Sequence, residues 1–522
     1  MGHYVNPGTR KFEMSLNSEI YVDKSNLIVE TNAFFDTEKR FICISRPRRF
    51  GKTMAANMLA AYYGIGEDAH PLFESLNVAK HPAYEKHLNK YHVLMINIQV
   101  FLSQSKSACE MITMLQSEVA EELIGANPEV KYRKETSLIH VMTDIHLHTK
   151  RPFVILIDEW DCLFREFKDN VKSQKEYLDF LRVWLKDQGY VGLAYMTGIL
   201  PIKKYGSHSA LNMFSEYSMT SPRQFLDYFG FTDLEVEGLV SKYRMDFSEI
   251  EKWYNGYFTE LGYPIYNPTS LTECLPSGKF SSYWNNTETY EALKDYVKLN
   301  FDGLKDKITL MLLGESIAIN TRYFTNDMTT FDSADDVLTL LIHLGYLTYN
   351  FERETVRIPN EEVKDEFATA IGSLKWNNVI DAIRDSYKLL QAIWNMEADV
   401  VAEGVGKVHE ENTSILQYND ENALSCVISL ALYSASDYYT VIRELPAGKG
   451  YADLVFIPRK RFSDKPAIVV ELKWDKEAEG AIAQIKNKNY ISALDEYQGN
   501  LLLVGINYDK KAKAHTCVIE YS

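Results

Sequence analysis

The chain has 522 residues, 46% of them hydrophobic and 25% charged, with 34 tyrosines and a formal net charge of −16. That length exceeds what one hydrophobic core supports and points to roughly three or four structural units, while the acidity excludes a wholly basic nucleic-acid coat and leaves room for a local basic groove. Apolar runs such as Phe153 to Ile157 are too short to cross a bilayer, and the scattered cysteines exclude a disulfide framework or a zinc knuckle.

The opening Met1-Gly-His-Tyr-Val-Asn-Pro shows no charged-then-apolar leader, and Asn6 stands where acylation wants Ser or Thr. The expected location is therefore the cytoplasm, with no membrane partner. Next, Arg40 to Thr53 runs an apolar strand into a basic turn ending in Gly51-Lys52-Thr53, followed by a helical segment from Met54 to Tyr63. This reads as a phosphate-binding loop: backbone N–H groups at a helix N-terminus face an anion, Lys52 reaches the β- and γ-phosphates, and Thr53 holds Mg²⁺. The usual first glycine is replaced by Arg46, so the loop entry must be shaped differently. The plainer alternative is a basic turn capping a helix.

Val93 to Val100 reads as a strand buried on both faces, and Ala108 to Leu123 as a helix. Pro152 to Asp161 is an apolar strand that ends in acids. Beside a phosphate loop it is expected to supply Asp158 for the Mg²⁺ shell and Glu159 to polarise the attacking water; alone it reads better as a strand running into a solvated acidic turn. Val191 to Gly198 is a further strand, placing Thr197 at the same edge to sense the γ-phosphate. Alternating strands and helices of this kind predict a doubly wound parallel sheet.

From Phe229 the pattern turns helical, with Thr232 and Glu235 spaced as a capping box. Short helices and aromatic-rich loops, including Trp253 to Tyr257, follow as a helical lid whose aromatic residues are more often core than base-stacking platforms. Asp335 to Leu344 with the flanking pairs Tyr346 to Tyr349 and Thr355 to Ile358 suggests a winged-helix module. Helices continue from Glu361 to about Glu397, and Gly404-Val-Gly406 reads as a hinge into the last domain.

The C-terminal order is helix to Leu432, strands Tyr438 to Leu445, Tyr451 to Ile457 and Ala467 to Lys473, helix Lys476 to Leu494, and strand Leu501 to Ile506. Glu471 and Lys473, two apart on a strand, share a face, and Asp453 lies on the neighbouring strand. Asp453 and Glu471 holding a divalent ion, with Lys473 near the water, would suit phosphodiester hydrolysis. Glu421 is a candidate further metal ligand, and Gln484 a candidate to orient a base or backbone. A solvated strand end with an ion pair is the alternative.

Together Tyr21-Val-Asp-Lys-Ser25, Arg46-Pro-Arg-Arg-Phe-Gly-Lys-Thr53, Leu156-Ile-Asp-Glu159, Thr197-Gly-Ile199, Phe229-Gly-Phe-Thr232, Trp253-Tyr-Asn-Gly-Tyr257, Tyr451-Ala-Asp453 and Glu471-Leu-Lys473 resemble a bacterial family. Its members are AAA-ATPase-like proteins with a C-terminal PD-(D/E)XK nuclease-superfamily domain. The resemblance implies ATP binding and a nuclease, and the expected fold is an α/β chain of four parts. These are a P-loop NTPase parallel sheet over 1–225, a helical lid over 226–300, a winged-helix-like region over 301–403 and a restriction-endonuclease-like αβββαβ domain over 404–522. The nucleotide-binding candidates are Arg49, Phe50, Gly51, Lys52, Thr53, Asp158 and Thr197. The metal candidates are Thr53, Asp158, Glu421, Asp453 and Glu471, and the catalytic candidates Glu159, Asp453, Glu471, Lys473 and Gln484. ATP, Mg²⁺ and DNA are the expected ligands, and a homo-oligomer is allowed. The function expected first is an ATP-dependent, metal-dependent nuclease. The other is a signalling NTPase whose nuclease fold serves as a binding module for nucleic acid or protein.

Overall fold

The computed structural model describes residues 2–522 apart from 203–210, 259–260, 284–292, 294–295, 299–302, 323, 325–330, 332, 374–376, 413–420, 448–449, 460–461, 475–477, 488–493, 495–496 and 498. Within helices and strands it also leaves out the side chains of 372–373, 377–381, 383–384, 411–412, 421–423, 426, 436–437, 444–447, 450–451, 479 and 487. The chain forms two compact units. One comprises Met1–Thr289 with Ile317–Glu366, the other Tyr290–Ser316 with Phe367–Ser522, so the expected 301–403 segment is shared between them.

The first unit is organised on strands β1 (Phe41–Ser45), β2 (His92–Asn97), β3 (Phe153–Asp158), β4 (Val191–Gly198) and β5 (Ser215–Tyr217). They run parallel in the order β2-β3-β4-β1-β5. Every residue of β1, β3 and β4 is buried, as expected for strands covered by helices on both faces. Register aligns Ile44 with Thr197 and Asn97 with Asp158, which brings the C-terminal ends of β1 to β4 to one edge. The predicted strand at Val93–Val100 is corrected: β2 stops at Asn97, whose side chain accepts from the Gln99 N–H at 3.0 Å and caps the helix Ile98–Ser103.

The lid region holds more than helices. Strands β6 (Phe231–Thr232), β7 (Tyr257–Phe258) and β8 (Pro264–Tyr266) form an antiparallel sheet of order β6-β8-β7 between the helices Asp233–Tyr243, Phe247–Tyr254 and Pro268–Ser277. The Thr232/Glu235 capping box is present, and Glu235 also pairs with Lys24 at 2.7 Å, tying the Tyr21–Ser25 motif to the lid. The motif aromatics are core: the Tyr254 hydroxyl donates to Ser281 O at 3.0 Å and that of Tyr257 to Gly345 O at 2.8 Å. Gly256 between them is left-handed, and a Cβ there would stand 2.1 Å from Pro359 O, so only glycine fits. The expected helix and hairpin are the helix Ala334–Leu344 with β10 (Thr348–Asn350) and β11 (Thr355–Arg357), joined by β9 (Ile317–Ala318) as a third strand.

His343 on that helix is buried and stacks on Phe324 with ring centroids 5.7 Å apart. Burial, reinforced by the Arg46 charge, pulls its pKa down to about 3. Unfolded histidine titrates near 6.5, so the unfolded chain takes up this proton first, and stability falls as pH drops from about 6.5 toward about 3. His343→Leu is expected to flatten that slope by up to about 1.4 kcal/mol per pH unit. Urea melts of both proteins near pH 7 and near pH 5 check this; equal losses in the two would refute it.

The second unit carries β12 (Tyr439–Ala447), β13 (Gly450–Pro458), β14 (Ala467–Trp474), β15 (Leu501–Asp509) and β16 (Ala514–Tyr521) in sequential order. Only the β14–β15 pair is parallel, with the helix Ala478–Asn487 as its crossover. The sequence reading lacks β16, which closes the sheet edge against β15. One core on this sheet gathers Leu389, Ile393, Val401, Leu424, Leu454, Val470 and Leu502, with Leu310 and Leu313 packed against it. Arg443 donates to Leu313 O at 3.0 Å and pairs with Glu315, fastening the 290–316 segment to this unit.

The hinge expected at Gly404–Gly406 is corrected: these residues lie inside the helix Ala398–Asn412. A Cβ on Gly404 would stand 2.1 Å from Leu389 Cδ2, so the glycine lets this helix lie close to the helix Asn377–Trp394. Close helix contact, and not bending, explains the residue.

Candidate functional site

In the first unit the phosphate-loop sequence leaves β1 and enters the helix Lys52–Tyr63 through Gly51. Gly51 has φ of +87° with nothing near its missing Cβ, so conformation alone demands glycine there. The other left-handed residue of the loop is Arg49, at φ +68°. Arg46, in place of the usual first glycine, is buried. Its Nη1 donates to Ser45 O and Tyr217 O, both at 2.9 Å, and its guanidinium lies 5.5 Å from the Phe229 ring centroid. Burial pulls its pKa down to about 10. The different loop entry is therefore an arginine bolted between β1, β5 and the Phe229 motif.

Lys52 is buried, and its Nζ donates to Arg46 O at 3.0 Å and Pro47 O at 2.8 Å. Burial lowers its pKa, against the pull of Glu159, Asp158 and Asp161. Thr53 Oγ1 donates to Asp158 Oδ2 at 2.7 Å, and Thr197 Oγ1 donates to Asp158 Oδ1, which also accepts from Glu159 N at 3.1 Å. Three elements distant in sequence thus meet on the fully buried Asp158 carboxylate. Glu159 adjoins it with φ of +53° and pairs with Arg165 on the helix Cys162–Glu166. Burial and neighbouring Asp161 raise the Glu159 pKa, opposed by Arg165 and Lys52.

Two of the predicted nucleotide contacts have other employment. Arg49 Nη1 donates to Tyr283 O at 3.0 Å, and the Phe50 ring is buried edge-on against Tyr257 with centroids 5.3 Å apart. Asp161, wholly buried, accepts through Oδ2 from Ile199 N at 3.1 Å and Leu200 N at 2.9 Å. Neither Asp161 nor Arg165 stands among the predicted site residues. The Asp158-Glu-Trp-Asp161 run signals the acid; nothing local signals the arginine.

In the second unit Glu471 and Lys473 share the face of β14 that looks toward the helix Ala478–Asn487, and both are buried. Lys473 Nζ donates to Glu471 Oε1 at 3.1 Å, and Gln484 Nε2 donates to the same oxygen. On β13, Asp453 Oδ2 accepts from Leu472 N at 2.7 Å. Four of the five predicted residues are therefore brought together by β13, β14 and one helix. The fifth, Glu421, opens the helix Glu421–Ala431, but its side chain lies outside the described residues. Among the described residues no group of three or more His, Cys, Asp or Glu forms a ready cage for a metal. The donors here are carboxylate oxygens, the type that Mg²⁺ takes with water filling the other positions.

Gly505 builds this arrangement from β15, where it is the register partner of Glu471. A Cβ on it would stand 2.6 Å from Ala478 O and 3.0 Å from Ala481 Cβ, so glycine lets the helix lie on the sheet and deliver Gln484. Gly505→Ala is expected to lose about 1–3 kcal/mol through overpacking, read as a lowered urea midpoint. An unchanged midpoint would show that the helix has room to shift.

Comparison with known sequences bears on both sites. Residues 7–207 match the family model described as a predicted AAA-ATPase, and residues 419–517 match the PD-(D/E)XK nuclease superfamily. The chain thus joins an ATPase-like domain to a nuclease-superfamily domain. An uncharacterized protein from the region 5′ of vnfD in Azotobacter chroococcum mcd 1 is 24% identical over 370 residues, a match spanning 67% of this chain and 66% of that protein. Among solved structures, a Walker-type ATPase of Pyrococcus abyssi matches at TM-score 0.34 and 13% identity, over 66% of this chain and 94% of its own. The Aeropyrum pernix ORC1 protein, solved in complex with DNA, matches at TM-score 0.22 and 11% identity over 91% of this chain and 95% of its own. Both scores are low, and the fold rests on the strand order given above. No helix among the described residues is long and apolar enough to cross a membrane.

Proposed function

We propose that this chain, an ATPase-like domain followed by a PD-(D/E)XK superfamily domain, is an ATP-hydrolysing protein of the bacterial cytoplasm whose second domain is a Mg²⁺-dependent nuclease acting on DNA. The observation that carries the reading is the convergence of Lys473 and Gln484 on one buried Glu471 oxygen, one strand from Asp453. An ion pair at a solvated strand end would need neither the burial nor the glutamine.

In the first domain Lys52 would leave its loop carbonyls for the β- and γ-phosphates, with the loop N–H groups behind them. Thr53 and Asp158 would hold the Mg²⁺ of the nucleotide, and Thr197, already on Asp158, would register the γ-phosphate. Glu159 would orient the attacking water. Arg49 would serve through exchange of its Tyr283 carbonyl for phosphate, and Phe50 through its backbone, since its ring is committed to the core.

In the second domain Asp453 and Glu471 would hold a divalent ion, which when bound acidifies water and offsets developing charge. Lys473 would hold a proton-bearing ammonium at the scissile phosphate, and Gln484 would fix the Glu471 oxygen that accepts from it. Glu421 is retained as a further ligand. Incubating the pure chain with DNA and RNA of both strandedness, with and without ATP and Mg²⁺, tests this. Cleavage that needs Mg²⁺ supports it; a panel left intact under every condition rejects it in favour of a binding module.

A further inference from the structure

Arg165 belongs to none of the motifs read in the sequence, yet it makes the most direct contact with Glu159. Only 14% of its side chain is exposed. Nη2 donates to the Glu159 carboxylate, and Nε lies 3.3 Å from Asp161 Oδ2. Asp161 is itself fixed, because the same oxygen accepts from Ile199 N and Leu200 N immediately after β4. Nε and Nη2 share one edge of the guanidinium, so the edge that pairs with Asp161 at the end of the central strand is the edge that meets Glu159.

Glu159 is held from two directions. Its main chain is left-handed, with the N–H on Asp158 Oδ1 at 3.1 Å. Its charge raises the Lys52 pKa against the effect of burial, so the two groups act on each other. Left without Arg165, the Glu159 and Asp161 carboxylates on one short turn would repel with no guanidinium between them.

We propose that Arg165 is a positioning residue for ATP hydrolysis, holding the Glu159 carboxylate at the phosphate loop where it orients the attacking water. The proposal rests on the reading of the first domain as an ATPase. It depends on the planar fork as well as the charge, since bridging two acids from a fixed anchor suits a guanidinium and not a compact ammonium.

Steady-state hydrolysis by Arg165→Gln and Arg165→Lys, beside wild type and Lys52→Ala, tests it. Arg165→Gln is expected to lose about tenfold or more in kcat while KM for ATP stays within about threefold, because the lost interaction serves the transition state and not ground-state binding. Arg165→Lys is expected to fall between. A purely structural ion pair would instead lower the melting temperature and leave kcat of the folded fraction unchanged, and that result overturns the proposal. So does a loss confined to KM, or a rise in kcat, which would mean that Arg165 restrains Glu159. If Arg165→Gln does not fold, Arg165→Lys decides: a lowered kcat at unchanged KM supports the proposal and a wild-type kcat rejects it. If wild type turns over no faster than Lys52→Ala, the ATPase reading itself has failed, and the proposal falls with it.

Discussion

Lys52→Ala is expected to weaken ATP binding by about a hundredfold, the loss of charge-assisted hydrogen bonds worth roughly 1.5–3 kcal/mol each. Glu159→Gln, in contrast, is expected to bind ATP normally and hydrolyse it about 100- to 10,000-fold more slowly, the range a positioned acid–base group contributes. The structure gives the reason for the split. Lys52 projects from the first turn of the loop helix and is buried on the Arg46 and Pro47 carbonyls of the loop proposed to take the phosphates, so its loss should be felt on binding. Glu159 follows Asp158 past the end of β3 and is paired with Arg165, so its expected role is at the attacking water and not in holding phosphate. Lys52→Ala also removes a buried cation from beside Asp158 and Glu159, so a melt should accompany the binding assay. Fluorescent-nucleotide titration and phosphate release on the same preparations separate the two effects. Wild-type turnover in both variants would sink the ATPase assignment.

Asp453→Ala and Glu471→Ala should each reduce Mg²⁺-dependent cleavage below detection, because losing either ligand leaves the shell incomplete. Lys473→Ala should slow cleavage by about 100- to 1,000-fold, the cost of removing one preorganised donor from a developing charge, while metal affinity changes little. Glu471 has a second duty as the acceptor for Lys473 and Gln484, so its removal strands a buried ammonium. Glu471→Gln keeps the volume and an acceptor oxygen, and it should cleave no better than Glu471→Ala. All of these variants should bind ATP as wild type does. Metal titration by calorimetry beside a cleavage assay distinguishes the roles; if wild type binds divalent ions no better than Asp453→Ala, the metal site does not exist.

What the sequence made legible is what the sequence keeps local. Gly51-Lys52-Thr53, the acids closing β3 and the Glu471–Lys473 pair are short patterns on apolar strands, and the structure puts each on the expected element. Gln484 was legible only by its order, because a helix residue 13 positions from Glu471 reaches it through the close seat that Gly505 provides. Arg46 shows the limit: its partner carbonyl on Tyr217 lies 171 residues away, and no spacing rule joins the two. Arg165 six residues beyond Glu159 looks like any charge on a helix surface until the turn that folds it back is known. Strands β6 to β8 are two or three residues long and too short to show an alternation. Gly404-Val-Gly406 misleads for a related reason: a glycine that lets a second helix approach is indistinguishable from one that bends until that helix, with Leu389, is in place.

The path of the chain between its two units bears on where it can be divided. It passes from the first to the second at Thr289–Tyr290, back at Ser316–Ile317, and over again inside the helix Glu361–Ser373, after Glu366. Leu310 and Leu313 pack on the C-terminal core, and Arg443 donates to Leu313 O and pairs with the Glu315 side chain, so that core is assembled from two separated stretches of sequence. A division placed anywhere after residue 316 would leave the C-terminal sheet without the helix Leu304–Leu312, from which Leu310 packs on its core. The C-terminal core therefore depends on chain that lies far upstream of its own sheet in sequence.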